Sequence, residues 1–223
     1  MELFGDLVTF YTSSDVDGVS YETSSDFLTH HIEEAEKDPQ IKAIVLEIDS
    51  YGGYPVAGEE VTLALRRATK PTVALIREGG LSAAYLAATG ADVIFASRSS
   101  DVGSIGVTMS YLDNTRKNQN EGLTYVDLSS GKFKDTTSPD RPLSAEERAL
   151  LMRDVNILHR YFIEMVAEHR NLDVAAVSRI ADGSTMLGQM ALEHGLIDQI
   201  GGTHEVRAHL REILGEEPEI CWY

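Results

Sequence analysis

Two observations predict an α/β domain built on β-α-β crossover units. Apolar runs of strand length alternate with stretches of helical period along most of the chain. The 223 residues, 43% hydrophobic and 25% charged, have the length and balance of one globular domain. We expect that domain to span 1–214, with a tail over 215–223.

Taken in order, Ser24 or Ser25 can cap a first helix through Phe27, Leu28, His31, Ile32 and Ala35, which Asp38-Pro39 stops. The clearest strand follows, Ile41 to Ile48. A helix over Val56 to Ala68 presents Val61, Leu65 and Ala68 on one face and ends at Lys70-Pro71. Thr72 to Ile76 returns as a second strand, and Val93 to Ala96 as a third. The stretch from Asp113 to Arg141 is polar, has little periodicity and is long for a structureless connection, so it is expected to be functional or partly mobile. Ser144-Ala145-Glu146-Glu147 is a capping box opening a long helix with Leu151, Val155, Leu158, Phe162 and Val166 on one stripe. Shorter helices are expected at Val174 to Ile180, at Gln189 to His194 closed by Gly195, and at Thr203 to Leu214. The tail, acidic and then aromatic, is expected to dock or fray.

Composition excludes several classes. With 19 Lys+Arg against 36 Asp+Glu the formal net charge is −17, which repels polyphosphate, so nucleic acid is not an expected partner. The single cysteine, Cys221, allows no intrachain disulfide and no cysteine-based metal site. No run approaches the roughly 18 apolar residues of a spanning helix, and Met1 to Asp6 lacks a signal-peptide pattern. We expect a chain soluble as given, with any membrane link in a segment outside it, as in an excised catalytic domain of an anchored envelope protein.

Four segments carry candidate chemistry. Asp49-Ser50-Tyr51-Gly52-Gly53 lies where open parallel sheets present ligand sites, and its glycine pair can turn backbone N–H groups towards a developing negative charge. Taken alone, the glycine pair favours a plain tight strand-to-helix turn, and it matches no phosphate loop. In Gly79-Gly80-Leu81-Ser82-Ala83-Ala84-Tyr85 a serine stands at a helix start, where free backbone donors favour an alkoxide-like oxygen; the plain alternative is an N-cap. Val102 to Val107 is expected to be a turn into a strand. In Ser130-Gly131-Lys132-Phe133-Lys134-Asp135 the two lysines share a face if the segment is extended. A serine nucleophile needs a base, and a lysine serves if burial lowers its pKa from about 10.4 towards neutrality, a cost of roughly 4–5 kcal/mol. The histidines show no ligand spacing and no carboxylate pair stands out.

Five segments in order, IKAIVLEIDSYGG, GGLSAAYLAATGADVIFA, VGSIGV, SGKFKDTTSPDRPLSAEER and GQMALEHGLIDQIGG, resemble the signal peptide peptidase A / protease IV family of serine peptidases. The resemblance implies a Clp protease/crotonase-like fold: repeated β-α units, a mostly parallel sheet and a C-terminal helical segment. It implies a nucleophile at Ser82, a general base at Lys134 52 residues on, an oxyanion hole using the N–H of Gly52 or Gly53, and Ser104 positioning the lysine amine. Lys132 is then dispensable. It implies no metal or organic cofactor, peptide or protein substrates such as remnant signal peptides, and a homo-oligomer. Tyr51 stands where that family usually has Pro, and Ala83-Ala84 where it usually has Gly-Gly. Two other readings remain: a crotonase-like acyl-thioester enzyme using the glycine turn, and a catalytically silent oligomeric scaffold.

Overall fold

The computed structural model describes residues 1–11 and 22–221, which divide into two compact units, Met1–Gly106 with Phe162–Tyr223, and Val107–Tyr161. In the first unit the chain runs β1 (Glu2–Val8), β2 (Glu22–Ser24), α1 (Ser25–Lys37), β3 (Ile44–Gly53), α2 (Pro55–Arg67), β4 (Thr72–Leu81), α3 (Ala83–Ala88), β5 (Val93–Ala96) and β6 (Asp101–Gly103). The second unit holds α4 (Thr115–Asn120) and the first part of α5 (Ala145–His169). From Phe162 onward the first unit resumes with the end of α5, α6 (Val174–Ile180), β7 (Thr185–Leu187), α7 (Gly188–Glu193), β8 (Gln199–Ile200) and α8 (Thr203–Leu214).

The strands form one sheet in the order β2-β1-β3-β4-β5-β8, with β6 paired to β4 and to β7. Every pairing is parallel except β6 with β7. This is the Clp-like, mostly parallel α/β arrangement with C-terminal helices that the sequence predicts. The central strand β4 is buried on both faces, as parallel sheets covered by crossover helices require. Ala74 and Ile76 join Leu46, Ile48, Val61 and Leu65 in the main core, while Val73 and Leu75 pack with Phe95, Val206 and Leu210 of α8 on the other side. Each fully buried Leu, Ile or Val contributes about 1.5–3 kcal/mol.

The expected helix signals hold. Ser24 accepts the Phe27 N–H at the start of α1, and left-handed Gly195 follows α7; Pro55 in the first turn of α2 and left-handed Gly215 after α8 were not among the expectations. Three strand expectations need correction. β3 starts at Ile44 rather than Ile41 and runs on to Gly53, and β4 continues past Ile76 to Leu81, because the polar and glycine residues after each apolar run still pair with their neighbours. The Val102 to Val107 segment is a strand that ends at Gly103, not a turn that opens one.

In the second unit, Ser144 and Glu147 form the expected capping box: Glu147 N–H donates to Ser144 Oγ at 3.2 Å and Ser144 N–H to Glu147 Oε2 at 2.8 Å. The segment around Lys132 and Lys134 is a run of turns over 132–137, not an extended strand, so alternation does not relate the two lysines. The tail is described to Cys221, and Arg211 of α8 pairs with Glu217 in it; Trp222 and Tyr223 lie outside the described residues. Among the described residues, no helix is long and apolar enough to cross a membrane.

Candidate active site

The first unit builds its candidate site where β3 and β4 end side by side. The β3–β4 register shifts between Ile48 and Ser50, which sets Ser50 opposite Gly80 and brings the ends of both strands to one level. β4 leaves the sheet at Leu81, α3 starts at Ala83, and Ser82 is the whole connection.

Ser82 has φ 51° and ψ −125°, a conformation that costs a non-glycine residue about 1–3 kcal/mol. Its backbone is held from both sides: the Ser82 N–H donates to Gly103 O at 2.8 Å, and its carbonyl accepts the Leu86 N–H at 2.9 Å. Its hydroxyl makes no capping hydrogen bond, so the N-cap reading of this serine fails. From Leu81 to Gly90, Ser82 alone is not fully buried. A serine held on a sharp, strained strand-to-helix turn, its hydroxyl not spent on a cap, has the form of a nucleophile elbow.

The helix behind Ser82 is clamped. Tyr85 is fully buried and its hydroxyl donates to Leu196 O at 2.8 Å, while Thr62 Oγ1 of α2 donates to Leu86 O at 2.7 Å. Burial pushes the Tyr85 phenol far above its ordinary range, so it stays a neutral donor.

Gly52 closes the other side of Ser82. A Cβ on Gly52 would stand 2.8 Å from Ser82 Cβ and 3.1 Å from Leu81 O, and its φ of +120° suits glycine alone. On Gly53 a Cβ would meet Leu7 O at 2.0 Å, because β1 runs against it. Of the two amides expected to serve an oxyanion, the Gly52 N–H already donates to Ser50 Oγ at 3.1 Å; Ser50 itself is buried and donates to Gly5 O at 2.5 Å. One donor was not anticipated from sequence. The Ala83 N–H opens α3 and, among the described residues, no acceptor takes it. The rule that the residue after an elbow nucleophile donates to the oxyanion would have found it.

Ser104 follows the Gly103 carbonyl that receives Ser82, and it too has positive φ, 49°. Its N–H donates to Ser184 O at 3.1 Å and its hydroxyl to Gly183 O at 3.1 Å, leaving the oxygen lone pairs free to accept. The structure thus brings Ser82, Gly52, Gly53 and Ser104 into one neighbourhood of the first unit. Tyr51 points outward, 71% exposed, its ring close above Gly79.

Lys134 belongs to the second unit. It is exposed on its turn, its N–H donating to Gly131 O at 3.0 Å, so the second unit does not supply the burial that a neutral lysine needs. Among the described residues its amine has no ion pair. Lys132, by contrast, pairs with Glu146 at 2.7 Å and lies 5.3 Å from the centre of the Phe133 ring. Among the described residues no group of His, Cys, Asp or Glu could hold a metal ion.

Comparison with known proteins gives the chain its relatives. The sequence profile of peptidase family S49 matches residues 64–216. A provisionally named protease of Methanocaldococcus jannaschii is 32% identical over 195 residues, 86% of this chain and 63% of that protein. A provisionally named signal peptide peptidase SppA of Enterococcus faecium is 32% identical over 83% of this chain and 55% of that protein. Protease 4 of Haemophilus influenzae is 25% identical over 92% of this chain and 34% of its own length. The chain therefore spans only part of these relatives. Among solved structures, a ClpP1 point mutant from Listeria monocytogenes superposes with a TM-score of 0.56 at 10% identity, covering 92% of each chain, a likeness of fold alone.

Proposed function

Since the chain belongs to peptidase family S49, we propose that it is a serine endopeptidase, with Ser82 as nucleophile and Lys134 as general base. The observation that carries the reading is Ser82: strained, uncapping, half-exposed and packed against Gly52. Strain of this kind persists only where surrounding structure enforces it, and it gathers at reactive centres.

In the proposed cycle, neutral Lys134 takes the Ser82 proton as Oγ attacks the scissile carbonyl. The Gly53 and Ala83 amides stabilise the tetrahedral oxyanion; Gly52 joins only if it leaves Ser50 Oγ. The Lys134 ammonium returns that proton to the leaving amine as the C–N bond breaks; the neutral lysine then takes a proton from the water that attacks the acyl-enzyme and passes it to Ser82 Oγ as the acid leaves. Ser104, its hydroxyl proton committed to Gly183, accepts from the lysine amine and so orients it. Substrate docking or a neighbouring copy supplies the desolvation that Lys134 lacks in one chain. The scheme asks for no metal and no organic cofactor.

We read the substrates as extended peptides, including remnant signal peptides, handled by one catalytic domain over 1–214 with the tail 215–223 appended. A homo-oligomer is part of the proposal. Supporting it, Met109, Leu112, Leu123, Val126, Leu128 and Phe133 expose large apolar side chains within one short stretch of the second unit. Sedimentation of the purified chain tests this, and a monomer at micromolar concentration argues against it. For the chemistry the test is hydrolysis of fluorescein-labelled casein. Lys134→Ala is expected to abolish it and Lys132→Ala to leave it unchanged; turnover retained by Lys134→Ala removes the dyad. The acyl-thioester alternative predicts coenzyme A binding in calorimetry, and the scaffold alternative predicts no turnover at all.

A further inference from the structure

Arg141 makes most of the side-chain hydrogen bonds that tie the turn carrying Lys134 to α5, with Thr136 Oγ1 adding a longer one to Glu147 Oε1 at 3.4 Å. Arg141 is three-quarters buried and spreads its guanidinium between two elements of the second unit. Towards the turn, Nε donates to Asp135 Oδ2 at 2.9 Å and Nη2 to the Asp135 carbonyl at 2.8 Å. Towards α5, Nη2 donates to Glu147 Oε1 at 2.5 Å and Nη1 to Glu147 Oε2 at 3.0 Å. Glu147 is itself buried, 3% exposed, and is half of the capping box that starts α5. Tyr125 adds a hydrogen bond to Asp135 Oδ1 at 2.9 Å.

The residue fixed on both its carboxylate and its carbonyl is thus the one that follows Lys134. Lys134 has its backbone held and its amine left unpaired, while Lys132 two residues earlier spends its amine on Glu146. A helix cap alone does not need this: Ser144 and Glu147 complete the box without Arg141. The fork also suits arginine specifically, since a lysine offers three donors from one point and cannot span two carboxylates and a carbonyl in a plane.

We propose that Arg141 is a positioning residue for the general base: through Asp135 and Glu147 it fixes the turn that carries Lys134. The inference rests on the Ser82–Lys134 reading. Once substrate or a neighbouring copy covers the amine, a turn that no longer holds it in place leaves it covered less often, which favours its ammonium form and moves the onset of serine activation to higher pH.

The test is the second-order rate of labelling by a fluorophosphonate probe across pH, on folded wild type, Arg141→Lys, Arg141→Ala, Asp135→Asn, Lys134→Ala and Lys132→Ala. Arg141→Ala is expected to label about tenfold more slowly near neutral pH, with its acid limb raised by about one pH unit. Arg141→Lys and Asp135→Asn should fall between it and wild type, and Lys132→Ala should match wild type. A merely structural role lowers the melting temperature without moving the acid limb. If Arg141→Ala does not fold, an unmoved limb in both Arg141→Lys and Asp135→Asn overturns the proposal. Lys134→Ala labelling at the wild-type rate overturns the dyad and this role together. Lys134→Ala silent with Arg141→Ala unchanged overturns the positioning role alone.

Discussion

Replacing Gly52 by alanine tests whether the strand ends hold Ser82 as described. The new Cβ would stand 2.8 Å from Ser82 Cβ and 3.1 Å from Leu81 O, neither of them the movable end of a flexible side chain. Overpacking of this sort costs about 1–3 kcal/mol. The φ of +120° adds about 1–3 kcal/mol for any residue bearing a Cβ. Together they predict a loss of about 2–6 kcal/mol, or roughly 4–24 °C in the melting midpoint of a domain this size. The relief available is to push Ser82 off its turn, and a shift near 1 Å at a reacting atom costs about a hundredfold in rate. Urea denaturation and fluorophosphonate labelling of the surviving folded fraction read the two effects separately. Gly131→Ala, whose Cβ would meet nothing within 4 Å, is the matched control and should change stability by no more than about 0.5 kcal/mol. A Gly52→Ala protein as stable and as reactive as wild type would refute the packing argument.

Tyr85→Phe removes the hydroxyl bonded to Leu196 O and leaves a buried carbonyl without its donor, so urea unfolding should show a loss of about 1–3 kcal/mol with labelling retained. His169 at the end of α5 lies half-buried with Nδ1 2.9 Å from Thr89 Oγ1, and burial, reinforced by Arg66, lowers its pKa below the usual value. The unfolded chain therefore binds this proton first, so stability is full above about pH 6.5 and falls as pH drops through the folded value; His169→Gln should flatten that slope in melting curves. Glu147 is held far below the ordinary carboxylate range by Arg141 and then Ser144. Its contribution is present above the unfolded carboxylate pKa and is lost as pH falls towards the folded one, so Glu147→Gln should reduce the acid sensitivity of unfolding in urea titrations.

The helices were the most legible part of the fold, because their ends are written in local chemistry: Ser24, Ser144 with Glu147, and Gly195 all act where their types predict. Strand ends were less so. Asp49 to Gly53 and Arg77 to Leu81 read as loops by composition, yet they continue the sheet through pairings that only the third dimension supplies. β1 escaped notice because an exposed apolar Phe4 and the side-chain-less Gly5 hide the alternation that Leu3 and Leu7 carry. At the site, the residue types and their order pointed to Ser82, Gly52, Gly53, Ser104 and Lys134. Sequence could not show that Ser82 is strained rather than capping, that Gly52 spends its amide on Ser50, or that Arg141 ties down the turn beside Lys134. Those facts depend on dihedrals and on partners far along the chain.

The most direct test of the central claim is to label the purified chain with a fluorophosphonate probe, digest it, and locate the adduct by mass spectrometry. The nucleophile-elbow account predicts a single adduct on Ser82, absent from Ser82→Ala. An adduct on another serine, or labelling undiminished in Ser82→Ala, would contradict it.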